Sequence, residues 1–221
     1  MKGVVFDLDE TLVDRRGSLD VYARRLNAAF SDSAVASGDS FVAEFHRLDG
    51  HGRVPRDEFF EHLSAVLFRN VAATQIKEHF ETTAWTHPIL FEGVPDLLRS
   101  IRDRDWRIGI VTNGGTVAQS AKIGNSGLVD LIDGSVISAS FGMKKPAPEI
   151  FRHMIERLNV DPERSWFVGD DPRADIWGAR QVGFRTCWVE RYSSWPPNLP
   201  RCYDARVGAT VDCLGIIAPD G

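Results

Sequence analysis

The chain has 221 residues, 43% hydrophobic and 26% charged, with 26 Lys and Arg against 31 Asp and Glu and a net charge of −5. That length suits one domain, or a core domain carrying a smaller inserted one, and the apolar share is ample for a core. The mildly acidic balance argues against a general nucleic-acid binder, which would show a basic face. No apolar run approaches the roughly 20 residues that a membrane helix needs.

The first strand, Lys2 to Phe6, begins without any charged segment, apolar stretch and small-residue cleavage site before it, so a cytoplasmic protein without a signal peptide is expected. Cys187, Cys202 and Cys213 are odd in number and widely spaced. They match no zinc pattern and no disulfide framework, and three reduced thiols are expected.

Gly3 to Phe6 is apolar without alternation, as in a strand buried on both faces. After Asp14 the period changes. Ser18 can cap a helix carrying Leu19, Tyr22, Ala23, Leu26 and Phe30. Phe41, Phe45 and Leu48 predict a second helix. Pro55 opens a third, with Phe59, Leu63, Val66 and Leu67 on one face, and Ile76 and Phe80 mark a fourth. This helical block is an insert placed straight after the first strand, and residues 15–90 are assigned to it. The remainder, 1–14 and 91–221, reads as an α/β core. In it, a helix starts at Pro95, a strand spans Arg107 to Val111, and a helix follows from about Thr116. A short strand lies near Ser135 to Ile137, and Pro148 opens a helix with Phe151, Met154, Ile155 and Leu158 on one stripe. Then come a strand at Trp166 to Val168, a helix over Ala174 to Val182 and a strand at Arg185 to Val189. Alternating strands and helices imply a Rossmann-like parallel sheet with right-handed crossovers. Tyr192 to Arg206 reads as a loop, followed by a short strand and helix over Ala209 to Ile217.

The apolar strands end in polar groups, in order Asp7 and Asp9, then Thr112 with Asn113, then Lys144-Lys145-Pro146, then Asp170, Asp171 and Asp175. Ligands of an open α/β sheet sit outside the carboxyl ends of its strands, so these endings gather at one edge. Carboxylates, a hydroxyl and an ammonium there suit a divalent metal and a phosphate. Of two carboxylates two positions apart at a strand end, one can attack phosphorus while the other holds or donates a proton. Thr112 and the turn Asn113-Gly114-Gly115 into a helix can hold a phosphoryl oxygen. An ammonium such as that of Lys145 offsets repulsion between anions. Magnesium takes one or two carboxylates and keeps several waters; Asp7, Asp170 and the main-chain carbonyl of Asp9 would serve. Asp171 is expected to cap the helix beginning at Pro172.

The four ordered motifs, Asp7-Leu8-Asp9-Glu10-Thr11, Thr112-Asn113, Lys145-Pro146 and Gly169-Asp170 with Asp175, resemble the haloacid dehalogenase superfamily of aspartate-nucleophile hydrolases over the whole chain. The resemblance implies Asp7 as nucleophile and Asp9 as general acid and then base. It also implies Lys145, directly before the proline, as the working lysine, and Asp175 orienting a metal-bound water or that lysine. The helical insert becomes a mobile cap of the first type. Glu10 stands where many relatives carry Gly. The implied activity is that of a Mg²⁺-dependent phosphomonoester hydrolase acting on a small phosphorylated metabolite, as a monomer or homodimer. Arg15 and Arg16 at the hinge are candidate substrate contacts, as are His46, His51 and Arg53 around a Gly-rich cap turn. A sugar phosphomutase keeps the same acids and remains open. A 2-haloacid dehalogenase has no leaving alkoxide to protonate, so Asp9 argues against it. A receiver-like signalling domain would be shorter and lack the insert, and a non-catalytic phosphate-binding relative would not need intact motifs.

Overall fold

The computed structural model describes residues 1–218. The chain forms two units, one from Arg15–Pro88 and the other from Met1–Asp14 together with the chain from Ile89 onward.

The first unit holds four helices, α1 (Arg15–Ala29), α2 (Gly38–Asp49), α3 (Arg56–Leu67) and α4 (Ala73–Thr83). Apolar residues at helical spacing bring Tyr22, Phe45, Phe59 and Phe80 into one aromatic core. Phe45 and Phe59 pack edge to face with centroids 5.4 Å apart, and Tyr22 and Phe80 at 5.0 Å. Ser18 does not cap α1, as the sequence suggested; it is buried within it. The buried stripe begins a turn earlier, at Arg15, because the Arg15 charge has a partner. Both oxygens of Asp49 accept from Arg15 Nη2 at 2.8 Å. Arg56 adds a third bond to Asp49 at 3.1 Å, and the Gly52 N–H a fourth at 2.8 Å. Asp49 is 1% exposed. Burial works against its charge, but Arg15 and Arg56 outweigh it and hold its carboxyl below the usual carboxylate range.

The second unit is a six-stranded parallel sheet. Its strands are β1 (Gly3–Phe6), β4 (Arg107–Thr112), β5 (Gly134–Ile137), β6 (Trp166–Gly169), β7 (Arg185–Val189) and β8 (Ala205–Val207), in the order β5-β4-β1-β6-β7-β8. Two further short strands, β2 (Val13–Asp14) and β3 (Ile89–Leu90), pair antiparallel beside it. Ile89 and Leu90, assigned above to the cap, therefore belong to this unit, because Leu90 pairs with Val13 and Ile89 with Asp14. The expected C-terminal loop likewise gives way early to β8, an edge strand that alternates buried Ala205 and Val207 around exposed Arg206.

The helices of this unit are α5 (Val94–Arg102), α6 (Thr116–Asn125), α7 (Ser138–Phe141), α8 (Pro148–Leu158), α9 (Gly178–Arg180) and α10 (Leu214–Ile217). Strand alternation divides the core. Val4, Phe6, Ile108, Ile110 and Val168 pack with Val94, Leu97, Leu98 and Ile101 of α5 on one face. Val5, Val111 and Phe167 pack with Ile150, Phe151, Met154 and Leu158 of α8 on the other. Gly109 allows that second packing: a Cβ there would stand 2.7 Å from Met154 Sδ. The chain winds from β1 to β4 and β5 on one side, then crosses to β6, β7 and β8 on the other. The order thus reverses at β1, and the carboxyl ends of β1, β4 and β6 border the resulting crevice.

Among the described residues no helix is long and apolar enough to cross a membrane. Replacing Asp49 by Ala strands the buried Arg15 guanidinium. We expect Asp49→Ala to lose about 3 kcal/mol of stability in urea unfolding, with the helical unit as the part that loosens in hydrogen exchange.

Candidate active site

Asp7 follows β1 directly, and its N–H donates to the Val168 carbonyl at 2.9 Å, so the β1–β6 ladder sets its position. Beyond it the chain turns sharply. The N–H groups of Leu12 and Val13 both donate to the Leu8 carbonyl at 2.9 Å. Glu10 adopts φ 61°, the left-handed region that favours glycine, the residue the resemblance finds in many relatives.

Lys145 reaches the same place from the loop between α7 and α8. Its Nζ lies 2.5 Å from Asp7 Oδ1 and 2.6 Å from Asp175 Oδ1, and its side chain is 2% exposed. Asn113, at the end of β4, holds the Lys145 main chain in both directions: Nδ2 donates to the Lys145 carbonyl at 3.0 Å, and Oδ1 accepts its N–H at 2.8 Å. The Gly114 N–H is also taken, by Ser138 Oγ at 3.0 Å. The turn expected to cradle phosphate therefore spends these groups on aligning Lys145 and α7, and Thr112 is the member that keeps a hydroxyl at the strand end. The Lys145–Pro146 bond is cis.

Asp170 follows β6. Its main-chain carbonyl accepts from Trp188 Nε1 at 3.0 Å and Ser193 Oγ at 2.7 Å, so Trp188 and the following loop anchor the strand end. Asp171 caps the next turn, with its Oδ1 accepting from the N–H groups of Arg173 and Ala174 at 2.8 Å. The helix expected over Ala174–Val182 is instead wound as a π-helical turn, Pro172–Trp177, continued by α9. That turn carries Asp175 back over Gly169. A Cβ on Gly169 would lie 2.6 Å from the Asp175 Cβ, so only glycine admits the carboxylate there. Asp175 Oδ2 accepts the Asp171 N–H at 3.0 Å.

Carboxylate oxygens of Asp7, Asp170 and Asp175 all lie within 4.8 Å of one another. Asp175 thus stands inside the acidic group and against Lys145, the lysine that the resemblance implies it orients. The Asp9 carboxylate stands outside that group, held by two residues that sequence reasoning missed. Lys122 Nζ donates to both Asp9 oxygens at 2.7 Å, and Gln119 Nε2 donates to Asp9 Oδ2 at 3.1 Å. Gln119 Nε2 also donates to Thr112 Oγ1 at 2.6 Å. Their three-residue spacing on the helix read from Thr116 puts both on one face, the one signal that pointed to them.

The remaining candidates lie in the helical unit. Arg15 is committed to Asp49, so its charge is neutralised there. Arg16 is exposed in the first turn of α1. His46 bonds to Asp20. His51 is exposed with φ 57° in the turn after α2.

A family model for haloacid dehalogenase-like hydrolases matches residues 1–183. The chain belongs to this family. Among the relatives of this hydrolase are the glyceraldehyde 3-phosphate phosphatases of Pyrococcus furiosus and Pyrococcus abyssi. The first is 31% identical, covering 86% of this chain and 81% of the relative. The second is 28% identical, covering 86% and 82%. In fold the hydrolase is similar to YfnB of Bacillus subtilis, solved bound to magnesium, with a TM-score of 0.79 at 21% identity over 98% of each chain.

The electrostatics of the hydrolase's acidic group follow from its burial. Burial pushes Asp7 up to about 7; Lys145 opposes the shift, and Asp175 and Asp9 reinforce it. Burial, then Asp175 and Asp7, push Asp170 well above the ordinary range. Asp175 is raised by burial and restrained by Lys145. Burial of Lys145 favours its neutral form, but Asp175 and Asp7 outweigh that and raise its pKa, so the ammonium stays charged. Ionisation of Asp170 therefore burdens the folded state. Its folded pKa lies above its unfolded one, so stability falls as the pH rises from the unfolded value and the loss is complete once the folded value is passed. In protein freed of divalent ions, Asp170→Asn should raise the melting temperature at about pH 8 and change it much less at about pH 5.

Proposed function

We propose that this hydrolase is a magnesium-dependent phosphatase that cleaves a small phosphorylated metabolite through an aspartyl-phosphate on Asp7. The observation that carries the reading is the pairing of Asp7 with Lys145 at the strand end, with a second carboxylate, Asp9, held separately beside it. Lys145 engages Asp7 Oδ1 and leaves the other oxygen to attack phosphorus. That attack forms an Asp7 oxygen–phosphorus bond and breaks the bond from phosphorus to the ester oxygen. Asp9 gives its proton to the departing alkoxide. Water then attacks phosphorus as Asp9 takes its proton, the Asp7–phosphorus bond breaks, and inorganic phosphate leaves with Asp7 again a carboxylate. Thr112, which accepts from Gln119 through its oxygen, keeps its hydroxyl hydrogen for a phosphoryl oxygen. Lys145 offsets the charge gathered on phosphorus and the carboxylates.

The residues present fit a divalent cation. Three carboxylates stand together, two of them on one ammonium, and among the described residues no side-chain hydrogen bond or ion pair engages the carboxylate of Asp170. Asp7, Asp170 and the main-chain carbonyl of Asp9 would hold magnesium, with Asp175 beside them. Magnesium supplies positive charge against the phosphate and its carboxylates. Asp9 favours phosphoryl over haloacid chemistry, since a halide departs without a proton.

In this reading the helical unit is the cap and sets substrate choice, with Arg16, His46, His51 and Arg53 as its candidate contacts. Arg15 serves Asp49 instead. The names of the two Pyrococcus relatives make glyceraldehyde 3-phosphate and other short phosphorylated sugars the first esters to test. The test is phosphate release from such a panel with Mg²⁺ and after chelation. We expect turnover only with the metal, and Asp7→Asn to lose roughly three orders of magnitude or more while its far-UV spectrum and melting temperature stay near those of the parent. Near-normal turnover by Asp7→Asn, or full activity after exhaustive chelation, would overturn the assignment.

A further inference from the structure

We infer that Lys122 and Gln119, one turn apart on α6, are positioning residues that hold Asp9 in register with Thr112. The inference rests on the acid–base reading of Asp9 given above.

A lysine is rarely buried without cause, because its ammonium loses water. Lys122 is 3% exposed and Gln119 1%, yet both point their polar ends at the same carboxylate. Lys122 takes both oxygens of Asp9, and Gln119 takes Oδ2. The Asp9 side chain keeps 23% exposure, so one side is held while another stays open to a substrate. Asp9 lies beyond the last residue of β1, in the turn where Glu10 has positive φ. The sheet ladder that places Asp7 therefore does not place Asp9, and side-chain bonds from α6 supply what the ladder does not. The same Gln119 amide also bonds Thr112 Oγ1 and the Asn113 carbonyl. One carboxamide thereby sets the distance between the proton-carrying group and the hydroxyl at the end of β4. Gly114 permits this arrangement, since a Cβ there would meet Gln119 at 2.9 Å.

A purely structural ion pair would affect every substrate alike. A positioning role for the proton donor would affect only esters that need the proton. Nitrophenolate leaves phosphorus without one, whereas a simple alkoxide requires it. The experiment compares kcat/KM for p-nitrophenyl phosphate and for propyl phosphate in the Mg²⁺-loaded protein. Asp9→Asn should lower the propyl ester's value by roughly 100-fold more than the nitrophenyl ester's. Lys122→Met should show the same skew at about 10-fold, and Lys122→Arg should recover part of it. Asp9→Asn combined with Lys122→Met should lose no more than Asp9→Asn alone, because a group that acts through Asp9 has nothing left to position. Gln119→Ala, which removes one donor to the same carboxylate, should give a smaller skew of the same sign and carries the test if Lys122→Met does not fold. Equal losses on both esters, or a further loss in the double variant, would overturn the inference while leaving the role of Asp9 intact. Absence of any skew in Asp9→Asn itself would overturn both.

Discussion

The buried ammonium of Lys145 is the interaction on which the rest of this protein's chemistry depends. Three carboxylates meet where β1, β6 and the π-helical turn converge; burial drives each toward its neutral form, and neighbouring carboxylates add to the shift, Asp175 on Asp7, Asp175 and Asp7 on Asp170, and Asp171 on Asp175. Lys145 stands between Asp7 and Asp175 and offsets part of that repulsion. Its own position is set at long range. Asn113 clasps its main chain from the end of β4, and Phe167 lies beneath its Nζ at 5.6 Å. Four separate stretches of chain thus have to be folded before Asp7 is held, which ties the geometry of the site to the whole sheet and not to any one loop.

That arrangement is costly to the fold, and the cost is informative. A protein optimised for stability alone would replace buried like charges by apolar side chains. Here the excess negative charge is kept, and glycine at position 169 makes room for one of its members. A site built with surplus negative charge is suited to a cation, and the ordered placement of one carboxylate beside the ammonium and another beside Lys122 gives the two acids different surroundings. Different surroundings are what would allow two like groups to take the separate roles of nucleophile and proton carrier proposed for them.

Much of this was legible in the sequence because buried parallel strands are continuous apolar runs, and each run here stops at a polar residue. Asp7, Thr112 and Asp170 could be picked out on that ground, the choice of Lys145 over Lys144 and the role of Asp175 came from the family resemblance, and the α/β core with its helical insert followed from the change of period after Asp14 and its return near Phe91. Other features depend on partners far apart in the chain. Lys122 and Gln119 sit in mid-helix with only their shared helix face to mark them, and their meaning comes from Asp9, more than a hundred positions away. Asn113 looked like a phosphate contact until its carboxamide was seen to engage Lys145. Arg15 looked like a free hinge charge, yet Asp49 lies one whole helix further on. The two-residue strands β2 and β3 are too short for any periodicity. The π-helical turn brings Asp175 over Gly169, an arrangement that no local propensity encodes.

The central claim is that Asp7 carries the phosphoryl group between two displacements, and the stereochemical course at phosphorus tests it most directly. Hydrolysis of a thiophosphate ester made chiral with two oxygen isotopes, run in water of the third, should release inorganic thiophosphate with net retention, because each of two in-line attacks inverts the centre. Net inversion would mean that water attacks the substrate in a single step, and would contradict a covalent role for Asp7.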